Sequence, residues 1–338
     1  MHDDLTMERP MTVEAASPAH PLPLLAVEEL TVDVRAAAGP VRLVDGVSFT
    51  IAKGERVALV GESGSGKSVT AQALMRLNEQ MQIKGSIALG GQNLLALDRR
   101  QMTAVRGSRM GMVFQDPMSS LDPLMTIGDQ VAETLRIRGV SKRDARQRAL
   151  AVLDELRVDR AAERLNAYPH EFSGGMRQRV VLAMALVGDP ELLIADEPTT
   201  ALDVRVQERV LDLLDEISRR RGLAVLLITH DMGIVAGFAD RVLVMYSGRI
   251  VEENTADVLF RDPRHPYTAG LLDAVPRVDR TAERLSSIPG APPVPADRPG
   301  GCHFNPRCNR VMDVCRTVAP VETPVGAGRV RCHLYGSA

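Results

Sequence analysis

From Leu25 to Leu30 and from Val41 to Ile51, apolar and polar residues interleave at the short period of β-strands, and the second run stops at the Lys53-Gly54 turn. Val57 to Val60 differs in being wholly apolar, the mark of a strand buried on both faces. A glycine-rich stretch follows it, and Lys67 to Leu77 then reads as a helix. Ile87 to Leu89 and Met110 to Phe114 are further strand candidates. Over roughly 119–187 the pattern shifts to helices, including the charged stretch Ser141 to Leu156. Beyond it come the apolar strand Leu192 to Ala195 and a helix from Asp203 to Arg221. A strand from Ala224 to Ile228, a helix after Asp231, and a hairpin from Arg241 to Val251 turning at Ser247-Gly248 complete the pattern. Strands alternating with helices predict an α/β fold with a mainly parallel core sheet and a helical insertion.

Past Phe260 the character changes. Pro292, Pro293, Pro295 and Pro299 predict a stiff linker, and all four cysteines lie after it. The expected organisation is a disordered segment over 1–24, a core domain over 25–260 with its helical part at about 119–187, and a C-terminal extension over 261–338. With 338 residues there is ample chain for one large core and a smaller appendage. A net charge of -2 gives no global basic field, so nucleic acid is not an expected partner. The longest apolar run, Val180 to Val187, is far below the ~18 residues of a membrane span. Work at a membrane would therefore mean docking onto another protein's helices. Residues 1 to 24 lack the basic start and apolar middle of a signal peptide, so the chain is expected to stay in the cytoplasm.

Chemistry is concentrated in blocks of fixed order. Gly61-Glu62-Ser63-Gly64-Ser65-Gly66-Lys67-Ser68 matches G-x-x-x-x-G-K-[ST], follows a strand and opens a helix through Val69. Glycines let backbone N–H groups close around phosphate oxygens, at a helix N-terminus whose field favours anions. Lys67 is expected to reach the β- and γ-phosphates of ATP, and the Ser68 hydroxyl to ligate Mg²⁺. Asp196 ends an apolar strand, at the sheet edge where α/β folds bind ligands, and is a second expected Mg²⁺ partner. Glu197, next in sequence, points elsewhere and suits a base that polarises the attacking water. Gln115, after the strand ending at Phe114, is placed to approach Mg²⁺ or that water, and His230, after Leu226-Leu227-Ile228-Thr229, to contact the γ-phosphate. Alone, a Gln or His after a strand is an ordinary surface residue. Their place in the ordered set makes them candidates.

Together these residues resemble the ATP-binding-cassette superfamily over about 25–260. The diagnostic block is Phe172-Ser173-Gly174-Gly175-Met176-Arg177-Gln178-Arg179, similar to the cassette signature. The resemblance implies a P-loop NTPase cassette with an antiparallel β subdomain and a helical signature subdomain. It also implies that Ser173, Gly174, Gly175 and Met176 contact ATP held by an opposing subunit, across an interface that Asp203 helps to form. Asp116-Pro117-Met118-Ser119-Ser120-Leu121-Asp122-Pro123, His265-Pro266-Tyr267-Thr268 and Gly301-Cys302-His303-Phe304-Asn305-Pro306-Arg307-Cys308 narrow the likeness to the D-type ATPase subunits of oligopeptide and dipeptide permeases. Implied with it are a partner cassette of the F type, two membrane permease subunits, an external solute-binding protein, and a peripheral seat at the inner membrane. Peptides are the commonest cargo of such systems; nickel, glutathione and other small solutes are alternatives. A soluble cassette ATPase acting on DNA or ribosomes usually carries two cassettes or a long insertion, and an exporter motor is usually fused to membrane helices. Neither feature is visible.

Two departures stand out. Met176 replaces the usual signature Gln, which is expected to weaken one of the two nucleotide sites. No Phe, Tyr or Trp precedes Phe49, whereas cassettes normally stack adenine on an upstream aromatic. Arg42 is the expected substitute, its guanidinium or stem packing on the base and discriminating weakly between ATP and GTP.

Cys302, Cys308, Cys315 and Cys332 follow the spacing C-x5-C-x6-C-x16-C, without the tight C-x2-C pairs of common zinc sites. Such clustering in a cytosolic protein reads as metal binding rather than disulfides, set against ordinary buried thiols. The long spacings favour a [4Fe–4S] cluster over Zn²⁺, with His303 and His333 as substitute ligands.

Overall fold

The structure, a computed structural model, describes residues 22–37, 39–115, 120–199, 203–275 and 288–336. Most of the expected disordered segment lies outside these residues, as do Asp116 to Ser119 and Thr200 to Leu202. The described strands are β1 (Leu25–Ala36), β2 (Gly39–Ile51), β3 (Arg56–Val60), β4 (Met81–Leu89), β5 (Gln92–Asn93), β6 (Met110–Val113), β7 (Leu192–Asp196), β8 (Ala224–Thr229), β9 (Arg241–Tyr246), β10 (Arg249–Thr255), β11 (Glu322–Val325) and β12 (Gly328–Arg331). They form two sheets. The smaller, β2-β1-β4-β5, is antiparallel. The larger runs β11-β12-β10-β9-β3-β8-β7-β6; β9, β3, β8, β7 and β6 are parallel, and β10, β12 and β11 continue it antiparallel.

The apolar runs dictate the centre. Val57 to Val60 and all of β7 and β8 are buried, because helices cover both faces of the parallel strands. The helix Val204–Arg221 is amphipathic, turning Val210, Leu211, Leu214 and Ile217 inward. It starts at Asp203, whose carboxylate accepts from the Val206 N–H, and stops at Gly222, which takes the left-handed conformation a helix end favours. The helical insertion consists of Ile127–Ile137, Lys142–Glu155 and Ala161–Arg164, the first two capped by Thr126 and Ser141. It shares one core with the helix Gly174–Leu186.

The extension departs from expectation. The proline stretch is not a free spacer: Pro295–Asp297 forms one 3-10 turn, and Arg298 donates to the Leu43 carbonyl at 2.9 Å. β12 and β11 then add to the main sheet beside β10, with Val330 opposite Glu252 and Arg329 opposite Glu253. Phe304 packs on Tyr246 and Tyr267 at 5.2 and 5.4 Å between ring centroids. The physical reason is size. So short a segment has too few large apolar residues for its own core and shares that of the main domain.

Candidate functional site

The central strand β3 delivers Gly61, whose φ of 153° and tight surroundings only glycine accepts: a Cβ there would lie 2.2 Å from the Met245 carbonyl oxygen. Gly66, at φ 109°, caps the helix Lys67–Leu74 without any side-chain bond to its first N–H groups. Those donors are oriented for an anion. Lys67 is buried, its ammonium donating to the carbonyls of Gly61 and Glu62 at 2.8 and 3.0 Å. Burial pushes its pKa down, against the pull of the nearby Glu197, Asp196 and Glu62 carboxylates.

Strand β7 ends at Asp196, and Ser68 donates to its Oδ1 at 3.0 Å. The two expected Mg²⁺ residues are thus neighbours. Burial raises the Asp196 pKa, partly offset by the Ser68 hydroxyl. Glu197 turns away through a left-handed backbone, φ 47°, fixed by its N–H donating to the Ile228 carbonyl at 2.8 Å. Such a conformation costs a non-glycine residue about 1–3 kcal/mol and points to function. The Glu197 Oε2 accepts from the Gln115 amide at 3.0 Å, and its Oε1 lies 3.1 Å from His230 Nδ1. Gln115, Glu197 and His230, from the ends of three strands, meet at one carboxylate.

A single cavity is lined by the glycine-loop residues Ser63, Gly64, Gly66, Lys67, Ser68 and Val69, and by Gln115 and Glu197. Leu43 and Pro295 supply its apolar wall. Arg42 does not reach it. Its guanidinium is held by Asp33 at 2.9 Å and by Asp45 at 3.3 Å, because Arg42 and Asp33 are direct partners across β2 and β1. Successive strand residues face opposite ways, so Leu43 is the residue turned to the cavity.

The signature residues lie in a different cavity, lined by Ser173, Gly174, Gly175, Met176 and Asp203. Ser173 caps the helix Gly174–Leu186, its hydroxyl accepting from the Met176 N–H at 3.4 Å. Arg179, the last residue of the signature block, lines this cavity too, with Arg157 and Arg209, which the sequence reading missed. Burial and the other two cations lower the Arg179 pKa, so an arriving anion relieves an existing cost. The two cavities share no lining residue.

The four cysteines converge on one small cavity, where His333 and His265 also appear, and none is in a disulfide. His303 instead lines an adjoining one, its Nδ1 3.3 Å from the Ser247 carbonyl oxygen. Burial pushes the Cys302 thiol up to about 11 and raises Cys308 and Cys332 as well. Among the described residues no group of three or more His, Cys, Asp or Glu is arranged to hold a metal ion. The donor set suits iron–sulfur or zinc chemistry; the side-chain arrangement does not by itself make a site.

Comparison with known proteins gives two family matches: "ABC transporter" over residues 44–200, and "Oligopeptide/dipeptide transporter, C-terminal region" over 251–315. A putative peptide import ATP-binding protein of Brucella abortus (strain 2308) is 47% identical over 313 residues, 92% of this chain and 94% of that one. The oligopeptide transport ATP-binding protein OppD of Salmonella typhimurium is 46% identical, over 94% and 95% of the two chains. AppD of Bacillus subtilis, likewise described as an oligopeptide transport ATP-binding protein, is 48% identical over 88% and 92%. Among solved structures, the dimeric post-hydrolysis state of the ATP-binding cassette MJ0796 with ADP and Pi matches at a TM-score of 0.62 and 28% identity, over 69% of this chain and 98% of that one.

Proposed function

Because the chain belongs to the ABC transporter family and carries that family's oligopeptide/dipeptide C-terminal region, we propose that it is the ATP-hydrolysing subunit of a peptide importer. The observation that carries this reading is the Glu197 carboxylate, which meets Gln115 and His230 and lines one cavity with Lys67 and Ser68, the latter bonded to Asp196. Glu197 is the base that polarises the attacking water, and His230 and Gln115 fix its direction. Lys67 and the glycine-loop N–H groups grip the phosphates, while the adenine lies against Leu43 and Pro295. Ser68, Asp196 and Gln115 would hold Mg²⁺, which would supply neutralisation of phosphate charge. Ser173, Gly174, Gly175 and Met176, with the three arginines beside them, serve the nucleotide of an opposing cassette. Hydrolysis needs both halves, so it is tied to closure of a head-to-tail dimer.

Asp196 leads to a prediction of two opposite signs. Its folded pKa lies above its unfolded value, so its ionised form costs stability; that cost is absent below the unfolded value of 3.8 and full above the folded value. Asp196→Asn is therefore expected to raise the melting temperature of the nucleotide-free protein at pH 7 by about 1–2 °C, for ~1 kcal/mol. The same change is expected to cut Mg²⁺-dependent hydrolysis by ~10²-fold or more. A variant destabilised at pH 7 and unimpaired in turnover removes Asp196 from the Mg²⁺ site.

The finer assembly is an F-type partner cassette, two permease subunits and, indirectly, an external binding protein, with this chain peripheral on the cytoplasmic face. Among the described residues no helix is long and apolar enough to cross a membrane. Phe114 beside Gln115, Leu124 just before the helical insertion and Ile137 within it are exposed large apolar side chains, and this is the region we assign to the permease contact. We also propose that Cys302, Cys308, Cys315 and Cys332 hold a [4Fe–4S] cluster, with Zn²⁺ as the alternative. The support is that all four thiols line one small cavity.

The test is purification of the tagged chain from its own membranes in mild detergent, with mass spectrometry of its companions and iron, sulfide and zinc analysis. Two permeases, a second cassette and a solute-binding protein are expected. Only ribosomal or DNA-associated companions would overturn the transport reading, and absence of iron and zinc would overturn the metal.

A further inference from the structure

The C-terminal extension reaches the phosphate loop itself. Glu62, the second residue of that loop, is held at three points. Its N–H donates to the Tyr267 hydroxyl at 2.8 Å, and its carbonyl accepts from the Lys67 ammonium at 3.0 Å. Its carboxylate takes both arms of the Arg307 guanidinium, at 2.6 and 2.9 Å. This is a two-pronged, charge-assisted pair, and the Arg307 side chain is only 4% exposed. Arg307 is itself fixed: Nε donates to the Pro289 carbonyl at 2.9 Å, and the guanidinium lies 5.8 and 5.9 Å from the Tyr246 and Phe304 rings. Two further contacts run the same way, Arg298 onto the Leu43 carbonyl and Pro295 on the cavity wall.

We propose that Arg307 is a positioning residue for ATP binding, acting by holding the Glu62 carboxylate away from Lys67. This rests on the reading of the glycine-loop cavity as the ATP site. Glu62 already acts on the buried Lys67 ammonium through space, and Lys67 hangs from the Glu62 carbonyl. A carboxylate released from Arg307 has this cation as a neighbour, and there it competes with the phosphates. Arg307 thus serves the site by occupying the one phosphate-loop side chain whose negative charge repels the ligand's. The extension is part of the nucleotide site within a single chain.

The experiment measures KM and kcat for ATP, and ATP binding, on the importer complex purified from membranes. Arg307→Met is expected to raise KM and weaken binding by about tenfold with kcat changed by less than about threefold, the pattern of lost ground-state binding. In a Glu62→Gln background the same substitution is expected to have no further effect, since the glutamine has no charge to release. Arg307→Lys, which keeps the charge and loses the fork, is expected to fall between the two and decides the matter if the Met variant does not fold. Unchanged ATP affinity in a folded variant, or a loss that persists in the Glu62→Gln background, overturns the inference. Lys67→Ala in the same assay separates the two levels: if it too binds ATP normally, the reading of the cavity fails, and not only the role of Arg307.

Discussion

Glu197→Gln is expected to slow ATP hydrolysis by ~10³-fold, within the range attributed to a positioned general base. The substitution is close to isosteric, and the amide retains an acceptor for Gln115 and a group able to meet His230. The backbone at 197 is held by its N–H bond to Ile228, which the side chain does not touch. Geometry should therefore survive while the negative charge is lost. ATP binding is expected to stay within about threefold of normal, since nothing assigned to grip the phosphates has changed. Cassette dimers should then accumulate in the closed state with ATP trapped, visible as a nucleotide-dependent rise in mass by light scattering. Hydrolysis within tenfold of the unsubstituted protein would remove Glu197 from the role of base.

Lys67→Ala should act at the earlier step and abolish tight nucleotide binding, a loss of ~10²-fold or more for a desolvated charge-assisted contact. Its effect on the nucleotide-free fold should be far smaller, because two terms oppose. Removing the stem leaves a small void in a buried position, while removing the ammonium relieves a charge that burial disfavours. With the folded pKa depressed, that charge costs stability below the folded pKa, and the cost fades as pH rises toward the unfolded value of 10.5. At pH 7 the variant should therefore melt near the unsubstituted protein but gain nothing from Mg²⁺ and ATP, whereas the unsubstituted protein gains several degrees. A ligand-induced shift of normal size in the variant would show that the phosphates are held by other groups.

What could be read from the sequence was local. The glycine loop needs one strand end, one turn and one helix start, all consecutive, and the Asp196-Glu197 pair needs one apolar strand. The placement of Arg42 was wrong by one residue for a physical reason. Strand parity decides which of Arg42 and Leu43 faces the cavity, and an Asp33 placed across the ladder claims the arginine. Asp98 and Gln101 form a capping box that announces the helix Arg99–Val105, a signal present in the sequence and overlooked. β11 and β12 carried no such signal. Their residues are mixed and half-exposed, and they become strands because β10 offers an edge to pair with. Pro295 and Arg307 were equally silent, since what gives each its role lies more than two hundred residues earlier in the chain.

That separation also sets a timetable. The Glu62 and Arg307 side chains are 245 positions apart, and a ribosome adding roughly 5–20 residues per second needs about 10–50 s to go from one to the other. Through that interval the phosphate loop has been made but its fastening has not, and the last two strands of the main sheet are also still to come. The nascent chain therefore lacks the Arg307 fastening of its phosphate loop for most of its synthesis, and gains it only after Arg307 has been added.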